Sequence, residues 1–198
     1  MSGIKAFWNN YSLKHPKIAQ FIMFFLLSNG ITVFQMILMP VLKAAFSGTA
    51  LEAHNFQILP VGYNADGSPY YIFNYPLGPI SSGGGGGLAY FIAVQLTLGI
   101  AQIINFFAQR NITFRSKGNI YKAAVWYLIA YIMITLCAGA LQGWYKDPIY
   151  QFFIDRFGKT GETAADLITM IINAAISFWV YFPILKIIFR EDKKQISA

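Results

Sequence analysis

The chain has 198 residues, of which 56% are hydrophobic and only 12% are charged, and its formal net charge is +7. Soluble domains carry about 25% charged residues, so this composition excludes an ordinary soluble domain and favours an integral membrane protein. One cysteine, and two histidines far apart in polar segments, provide neither a disulfide framework nor a metal site, and we expect no cofactor. Paired carboxylates, a nucleophile with its base and a Walker loop are also missing from the sequence, so we do not expect an enzyme.

Four apolar segments are long enough to cross a bilayer, which takes about 20 residues. We place these spans at residues 18–42, 88–108, 123–141 and 167–185. The first is too long for the apolar region of a cleavable signal peptide, so we interpret it as a retained span. The predicted fold is therefore an all-α integral membrane protein with one membrane domain over residues 1–198 and outer loops at 43–87 and 142–166.

The distribution of Lys and Arg predicts the orientation of these spans. Most of the fifteen basic residues lie in the N-terminal segment, in residues 109–122 and at the C-terminal end. The positive-inside rule then places both termini and the second loop in the cytoplasm, for a multi-pass protein of the cytoplasmic membrane. Because the basic residues lie next to helix ends, we expect them to contact membrane lipids and not nucleic acid.

The first outer loop contains a dense turn signal at residues 64–69, then an aromatic segment, and then five consecutive glycines at residues 83–87. One interpretation of the glycine run is a flexible hinge into the second span. The other is a nest of backbone N–H groups that binds phosphate at the start of a helix.

The sequence of the third loop predicts a short interfacial helix on the outer surface. Asp147 and Pro148 are typical of a helix start, and Gly158 is typical of a helix end. Between them, apolar side chains fall on one face, as in helices that lie along a membrane surface. The next segment, from Thr163 to Asp166, resembles a capping box that begins the fourth span.

Polar side chains form stripes on three of the predicted spans. They are Ser28, Thr32 and Gln35 on the first, Gln95, Gln102, Asn105 and Gln109 on the second, and Asp166, Thr169, Asn173 and Ser177 on the fourth. The third span has almost no polar side chains, with Thr135 as the main exception. Unpaired amides are costly in hydrocarbon, so these faces either bond to other helices or line a polar groove. The spans carry no charged residue at depth, which argues against an ion-driven exporter.

The ends of the second and fourth spans repeat weakly. Residues 105–114, NFFAQRNITF, align with residues 173–182, NAAISFWVYF, with Asn and Phe matched at the two ends. The pattern predicts two helix pairs related by an axis along the membrane normal, which is a weak parallel repeat.

The same segments resemble the GtrA-like family of small four-helix membrane proteins. That family closes its second span with an Asn-Phe pair, an Arg and a Phe, and its fourth span with a related Asn, Phe and Trp segment. The matching residues here are Asn105, Phe106, Arg110 and Phe114, and then Asn173, Phe178, Trp179 and Phe182. The chain departs from the pattern at Gln35, where an acid is common, at Phe178, where a basic residue is common, and in its longer outer loop.

The resemblance implies a translocase for polyprenyl-phosphate-linked sugars, which supplies cell-surface polysaccharide or teichoic acid glycosylation. It implies that Arg110, Arg115 and Lys117 bind the lipid phosphate, since guanidinium groups form strong hydrogen bonds with phosphate. The implied groove is lined by Gln35, Gln102, Asn105, Gln109, Asn173, Ser177 and Trp179. For Arg110, the alternative is a topology anchor whose side chain snorkels to the interface.

A second function is also compatible with this sequence. The protein would then be a non-transporting membrane partner that recruits a glycosyltransferase to its lipid-linked substrate. A bundle of four helices is small for a bulky head group, so we expect a homo-oligomer in either case.

Overall fold

The computed structural model describes residues 2–64 and 67–190, without the side chains of residues 2, 159, 162, 163 and 166. The elements in chain order are α1 (Ser2–Lys14), α2 (Pro16–Phe46), β1 (Phe56–Tyr63), β2 (Pro69–Tyr75), α3 (Gly87–Ala108), a π-helical turn (Gln109–Thr113), α4 (Ile120–Phe157) and α5 (Lys159–Ile188). Two short 3₁₀ turns, Ala50–Ala53 and Ile80–Ser82, flank the strands.

The structure confirms the predicted four-span helical membrane protein. Among the described residues, four helical segments are long and apolar enough to cross a membrane, and they are Pro16–Phe46, Gly87–Thr113, Ile120–Phe157 and Leu167–Ile188. Large apolar side chains are exposed along all four, as lipid-facing helices require. At 1.5 Å per residue, the 38-residue α4 is about 57 Å long and therefore extends well beyond a hydrocarbon layer of about 30 Å.

The four spans pack as two antiparallel pairs, α2 with α3 and α4 with α5. The pairs meet in an aromatic core that includes the buried rings of Phe24, Phe106, Tyr127 and Phe189. This core lies at the end of the bundle where α2 begins and α5 ends, which we call the basic end. The opposite end holds the two strands and the α4–α5 connection at Gly158, and we call it the hairpin end.

The first outer loop contains a β-hairpin that the sequence prediction missed. Strands β1 and β2 pair antiparallel, with Phe56 opposite Tyr75. The predicted turn signal at residues 64–69 falls between them, although residues 65 and 66 lie outside the described residues. The hairpin packs on α3 through Phe56, whose ring centroid lies 3.9 Å from that of Phe91. Burial, with a smaller contribution from Tyr90, raises the pKa of Tyr75 to about 12, so its phenol is neutral at physiological pH.

Two glycines in α4 receive the hairpin. A Cβ at Gly139 would lie 3.0 Å from Ile72, and a Cβ at Gly143 would lie 3.1 Å from Tyr70. Two glycines four residues apart often let two membrane helices approach closely, but here they let a strand approach a helix. The hairpin is therefore seated on both helix pairs.

The glycine run is neither a flexible hinge nor a phosphate nest in the structure. Loop carbonyls already accept hydrogen bonds from its backbone: Gly84 N donates to Pro79 O at 2.9 Å and Gly87 N donates to Pro76 O at 2.9 Å. The backbone approach is so close that a Cβ on Gly87, at φ 51°, would lie 2.8 Å from Glu52 O. The glycines are required for this packing, which caps the start of α3.

The prediction for the third loop is wrong in its boundaries. Helix α4 continues unbroken to Phe157, so residues 147–157 are its last turns and not a separate short helix. Helix α5 already begins at Lys159, which places Thr163 inside the helix and not at its start. The side chains of Thr163 and Asp166 lie outside the described residues. Pro148 therefore lies inside α4, where it removes one backbone hydrogen bond, and the helix continues on both sides of it.

Candidate functional site

The predicted groove residues of α3 form a closed hydrogen-bond network centred on Gln109. Its side chain is 0% exposed. The Gln109 Nε2 atom lies 3.4 Å from Phe24 O and 3.3 Å from Ser28 Oγ on α2, while its Oε1 atom accepts from Thr113 Oγ1 at 2.6 Å. Gln109 Nε2 also contacts Asn105 Oδ1 at 3.2 Å.

The network continues from α3 to α4. Asn105 Nδ2 donates to Tyr127 Oη at 3.0 Å, and that hydroxyl donates to Gln102 Oε1 at 2.6 Å. Every one of these polar groups therefore has a partner on a neighbouring turn or helix. In this structure the amides hold α2, α3 and α4 together, and they do not line an open groove.

Three other predicted groove residues lie apart from this network. Gln35 is half-buried in α2 but does not belong to it. Ser177 is half-buried on α5. Trp179 is 66% exposed on the bundle surface, next to the rings of Phe21 and Phe178.

The three predicted phosphate ligands do not converge. Arg110 Nη2 donates to Gly118 O at 2.9 Å, and Arg110 O accepts from Ser116 N at 2.9 Å, so Arg110 shapes the loop that leads into α4. Arg115 lines a different cavity, beside the N-terminal helix. Lys117 is exposed and lines neither that cavity nor the larger one described next.

The large cavity lies at the basic end, between α4 and α5. Its volume is about 700 Å³. Two basic residues that the sequence analysis used only for orientation, Lys122 and Arg190, line it with Ser116, Asn119, Trp126 and Ile184. Asn119 caps α4 by accepting from Lys122 N at 3.0 Å, so the positive end of the α4 dipole also faces this region.

The chemistry of this cavity is that of an amphipathic anion site. Its mouth carries basic and hydroxyl groups, and its walls carry Trp126, Ile129 and Ile187, which are all partly exposed. A phosphate can pair with the basic groups while an attached hydrocarbon chain lies along the apolar wall. Sequence reasoning missed this pairing because Lys122 and Arg190 belong to segments far apart in the chain.

Beyond the cavity, the α4–α5 seam contains polar atoms without partners. The side chains involved are Thr169, Asn173 and Tyr181, all on α5. Asn173 Nδ2 donates to Gln142 Oε1 at 3.2 Å. Within the described residues, however, no hydrogen-bond partner reaches three buried atoms, which are Asn173 Oδ1, Thr169 Oγ1 and Tyr181 Oη. Buried polar atoms without partners are rare because each costs free energy, so this part of the seam offers free hydrogen-bonding capacity to water or to a polar ligand.

The α4 side of this seam is more polar than the sequence analysis expected. Tyr131 forms a side-chain hydrogen bond with Thr135, and Tyr181 lies near both Tyr127 and Tyr131. These tyrosines escaped notice because tyrosine counts as apolar in a hydropathy reading, although each carries a hydroxyl.

Comparisons with protein-family models, with curated proteins and with solved structures found no match for this chain. The GtrA-like resemblance therefore stays a prediction, and the geometry of the basic end and the α4–α5 seam carries the functional argument.

Proposed function

We propose that this protein is a translocase for polyprenyl-phosphate-linked sugars, and that the head group moves along the α4–α5 seam. The observation that carries the proposal is that the basic cavity lies between α4 and α5 at one end of their seam, and that α5 carries buried polar atoms without partners further along the same seam. The proposal keeps the substrate class that the sequence resemblance implies, and it moves the pathway from the α2–α3 amides to the other helix pair.

The basic cavity is the entry site in this proposal. We place the basic end in the cytoplasm, following the positive-inside rule, and the protein in the cytoplasmic membrane. Lys122 and Arg190 then lie at the depth of the lipid phosphates, where they pair with the phosphate of the carrier. Trp126 offers an aromatic face at the mouth, next to the position of the first sugar.

The seam provides the next hydrogen bonds. Thr169 and Tyr181 are three i to i+4 steps apart on α5, a distance of about 18 Å along the helix axis. Sugar hydroxyls both donate and accept, so they can satisfy Thr169 Oγ1, Asn173 Oδ1 and Tyr181 Oη in turn. The polyprenyl chain stays in the lipid, because the outward-facing residues of both helices are apolar.

The proposal includes two further predictions about architecture, which are the repeat and the oligomeric state. The two helix pairs would form a parallel repeat, and only the second pair would carry the pathway. A homo-oligomer would supply more of the wall that a bulky head group needs.

Purified protein in liposomes tests the function. With a fluorescent polyprenyl-phosphoryl hexose in both leaflets, dithionite bleaches only the outer leaflet, and we expect the protein to expose the remaining label without any ion gradient. The double variant Lys122→Gln, Arg190→Gln should be at least tenfold slower, since hydrogen bonds to charged groups contribute about 1.5–3 kcal/mol.

Arg156→Gln is the matched control, because Arg156 is an exposed cation at the hairpin end that packs over the Phe152 ring. It removes one positive charge without touching the cavity, so its rate should equal that of the native chain. Bleaching to completion in protein-free liposomes, or equal rates for the double variant and the native chain, would contradict the proposal.

A non-transporting partner for a glycosyltransferase is the second candidate, and one observation favours it. The cavity reaches only to Ala130 and Ile184, about 12 Å from Lys122 along α4, and so it spans less than half of the hydrocarbon layer. A one-sided site of this kind suits a protein that presents a lipid. Binding of the labelled lipid that needs Lys122 and Arg190, without any scrambling, would select this candidate.

A further inference from the structure

The N-terminal helix α1 is an amphipathic helix at the basic end, and the sequence analysis did not predict it. Ile4, Phe7, Trp8 and Tyr11 fall within an arc of about 100° on a helical wheel. Ile4 is 78% exposed and Phe7 is 70% exposed. His15 alone links the end of α1 at Lys14 to the start of the spanning helix α2 at Pro16, so the C-terminal end of α1 lies beside the start of that span.

A second cavity of about 250 Å³ separates α1 from the segment that follows α3. Its polar lining includes Ser12, Gln20 and Arg115, and its apolar lining includes Trp8, Leu13 and Met23. Gln20 also reaches toward this segment, with Nε2 3.5 Å from Thr113 O. The cavity therefore combines a cation, neutral hydrogen-bonding groups and an apolar floor.

Arg115 is held in an unusual backbone conformation beside this cavity. Its φ is 47°, in the left-handed region that residues other than glycine seldom adopt. The neighbouring hydrogen bonds, Phe114 N to Gln109 O at 2.9 Å and Ser116 N to Arg110 O at 2.9 Å, fix the chain on both sides. The backbone carbonyls of Gln109 and Arg110 thus set the position of Arg115, whose side chain is exposed.

We propose that α1 lies in the membrane surface at the basic end and that, with Arg115, it forms a site for an anionic phospholipid. The phosphate pairs with the Arg115 guanidinium, and the upper part of an acyl chain lies against Trp8, Leu13 and Met23. Charge favours this occupant, because α1 contains Lys5 and Lys14, Lys17 follows it, and no acidic residue precedes Glu52. This site is separate from the α4–α5 cavity and does not depend on transport.

Tryptophan quenching tests this proposal. A protein with Trp126, Trp144 and Trp179 replaced by Phe retains only Trp8 and is placed in nanodiscs. These contain either phosphatidylglycerol or phosphatidylcholine brominated near the top of the acyl chain, at equal mole fraction. We expect stronger quenching by the anionic lipid, equivalent to about fivefold local enrichment.

Two variants at Arg115 distinguish the effect of its charge from the effect of its backbone conformation. Arg115→Asn removes the charge but keeps a residue that tolerates the left-handed backbone, and it should abolish the preference. Arg115→Lys keeps the charge and should keep most of the preference. Arg156→Gln, at the hairpin end, should leave it unchanged.

Three outcomes would overturn the proposal. They are equal quenching of the Trp8-only protein by both lipids, no quenching by either lipid, and a preference that survives Arg115→Asn. In the Trp8-only protein, the double variant Lys122→Gln, Arg190→Gln should leave the quenching of Trp8 unchanged. This lipid-site proposal can therefore fail while the transport proposal stands, and the transport proposal can fail while this one stands.

Discussion

The two polar stripes on α3 and α5 were similar in sequence but have opposite surroundings in the structure. On α3, Gln102, Asn105 and Gln109 all find partners inside the bundle. On α5, Thr169 and Asn173 leave buried oxygen atoms without partners among the described residues. Polar stripes at helical spacing therefore do not show by themselves whether their side chains find partners inside the bundle.

The difference comes from what each stripe faces. Helix α3 presents its amides to two helices, where Ser28, the Phe24 carbonyl and the Tyr127 hydroxyl complete the bonds. The α5 stripe faces α4, where Gln142 accepts a hydrogen bond from Asn173. A stripe with enough partners stabilises the fold, and a stripe with too few retains the capacity to bind something else.

The largest effect on stability is expected for Gln109→Leu. It removes a fully buried group that bonds to both neighbouring turns and to α2, leaving Thr113 and Asn105 partly unpaired, so we expect a loss of about 3 kcal/mol in unfolding free energy. Equilibrium unfolding in detergent measures this loss. Gln95→Leu, on the same helix but outside the network, is the control and should change stability by under about 1 kcal/mol. Equal losses would show that the network has no special role.

A matched asparagine pair sharpens the contrast. Asn105→Leu breaks bonds to Tyr127 and Gln109 and should cost about 2 kcal/mol. Asn173→Leu removes one bond and one unpartnered oxygen, so its net effect on stability should lie within about 1 kcal/mol of zero. Liposome scrambling should reverse the order, with the larger loss of rate at Asn173. A larger loss of stability at Asn173 would contradict the assignment of the two stripes.

The smallest effect is expected for a matched tyrosine pair. Tyr127→Phe removes a hydroxyl with two partners and should destabilise the protein by about 1 kcal/mol. Tyr181→Phe removes a buried hydroxyl without a partner, and stability should stay the same or rise by up to about 1 kcal/mol. Thermal unfolding of the two single variants in one detergent compares them directly, and a clear loss at Tyr181 would reveal a partner for its hydroxyl.

The sequence predicted the spans well because hydropathy over about 20 residues is a local property. It predicted Gln109 and Asn105 as inward-facing for the same reason, since helical spacing places them on one face. It could not predict what those amides would meet, because Ser28 lies on another helix and Tyr127 on a third. The hairpin was missed because its first strand contains Pro60 and Gly62, which weaken a strand pattern.

The sequence by itself determined that this is a four-span membrane protein with polar stripes on three helices and cations at the helix ends, since each of these features is set by neighbouring residues. Only the tertiary structure decided which stripe is satisfied, that the glycine run caps α3, and that Lys122 and Arg190 share one cavity. Those outcomes depend on which helix faces lie against each other, and hydrogen-bond partners far apart in the chain become visible only once the helices have packed.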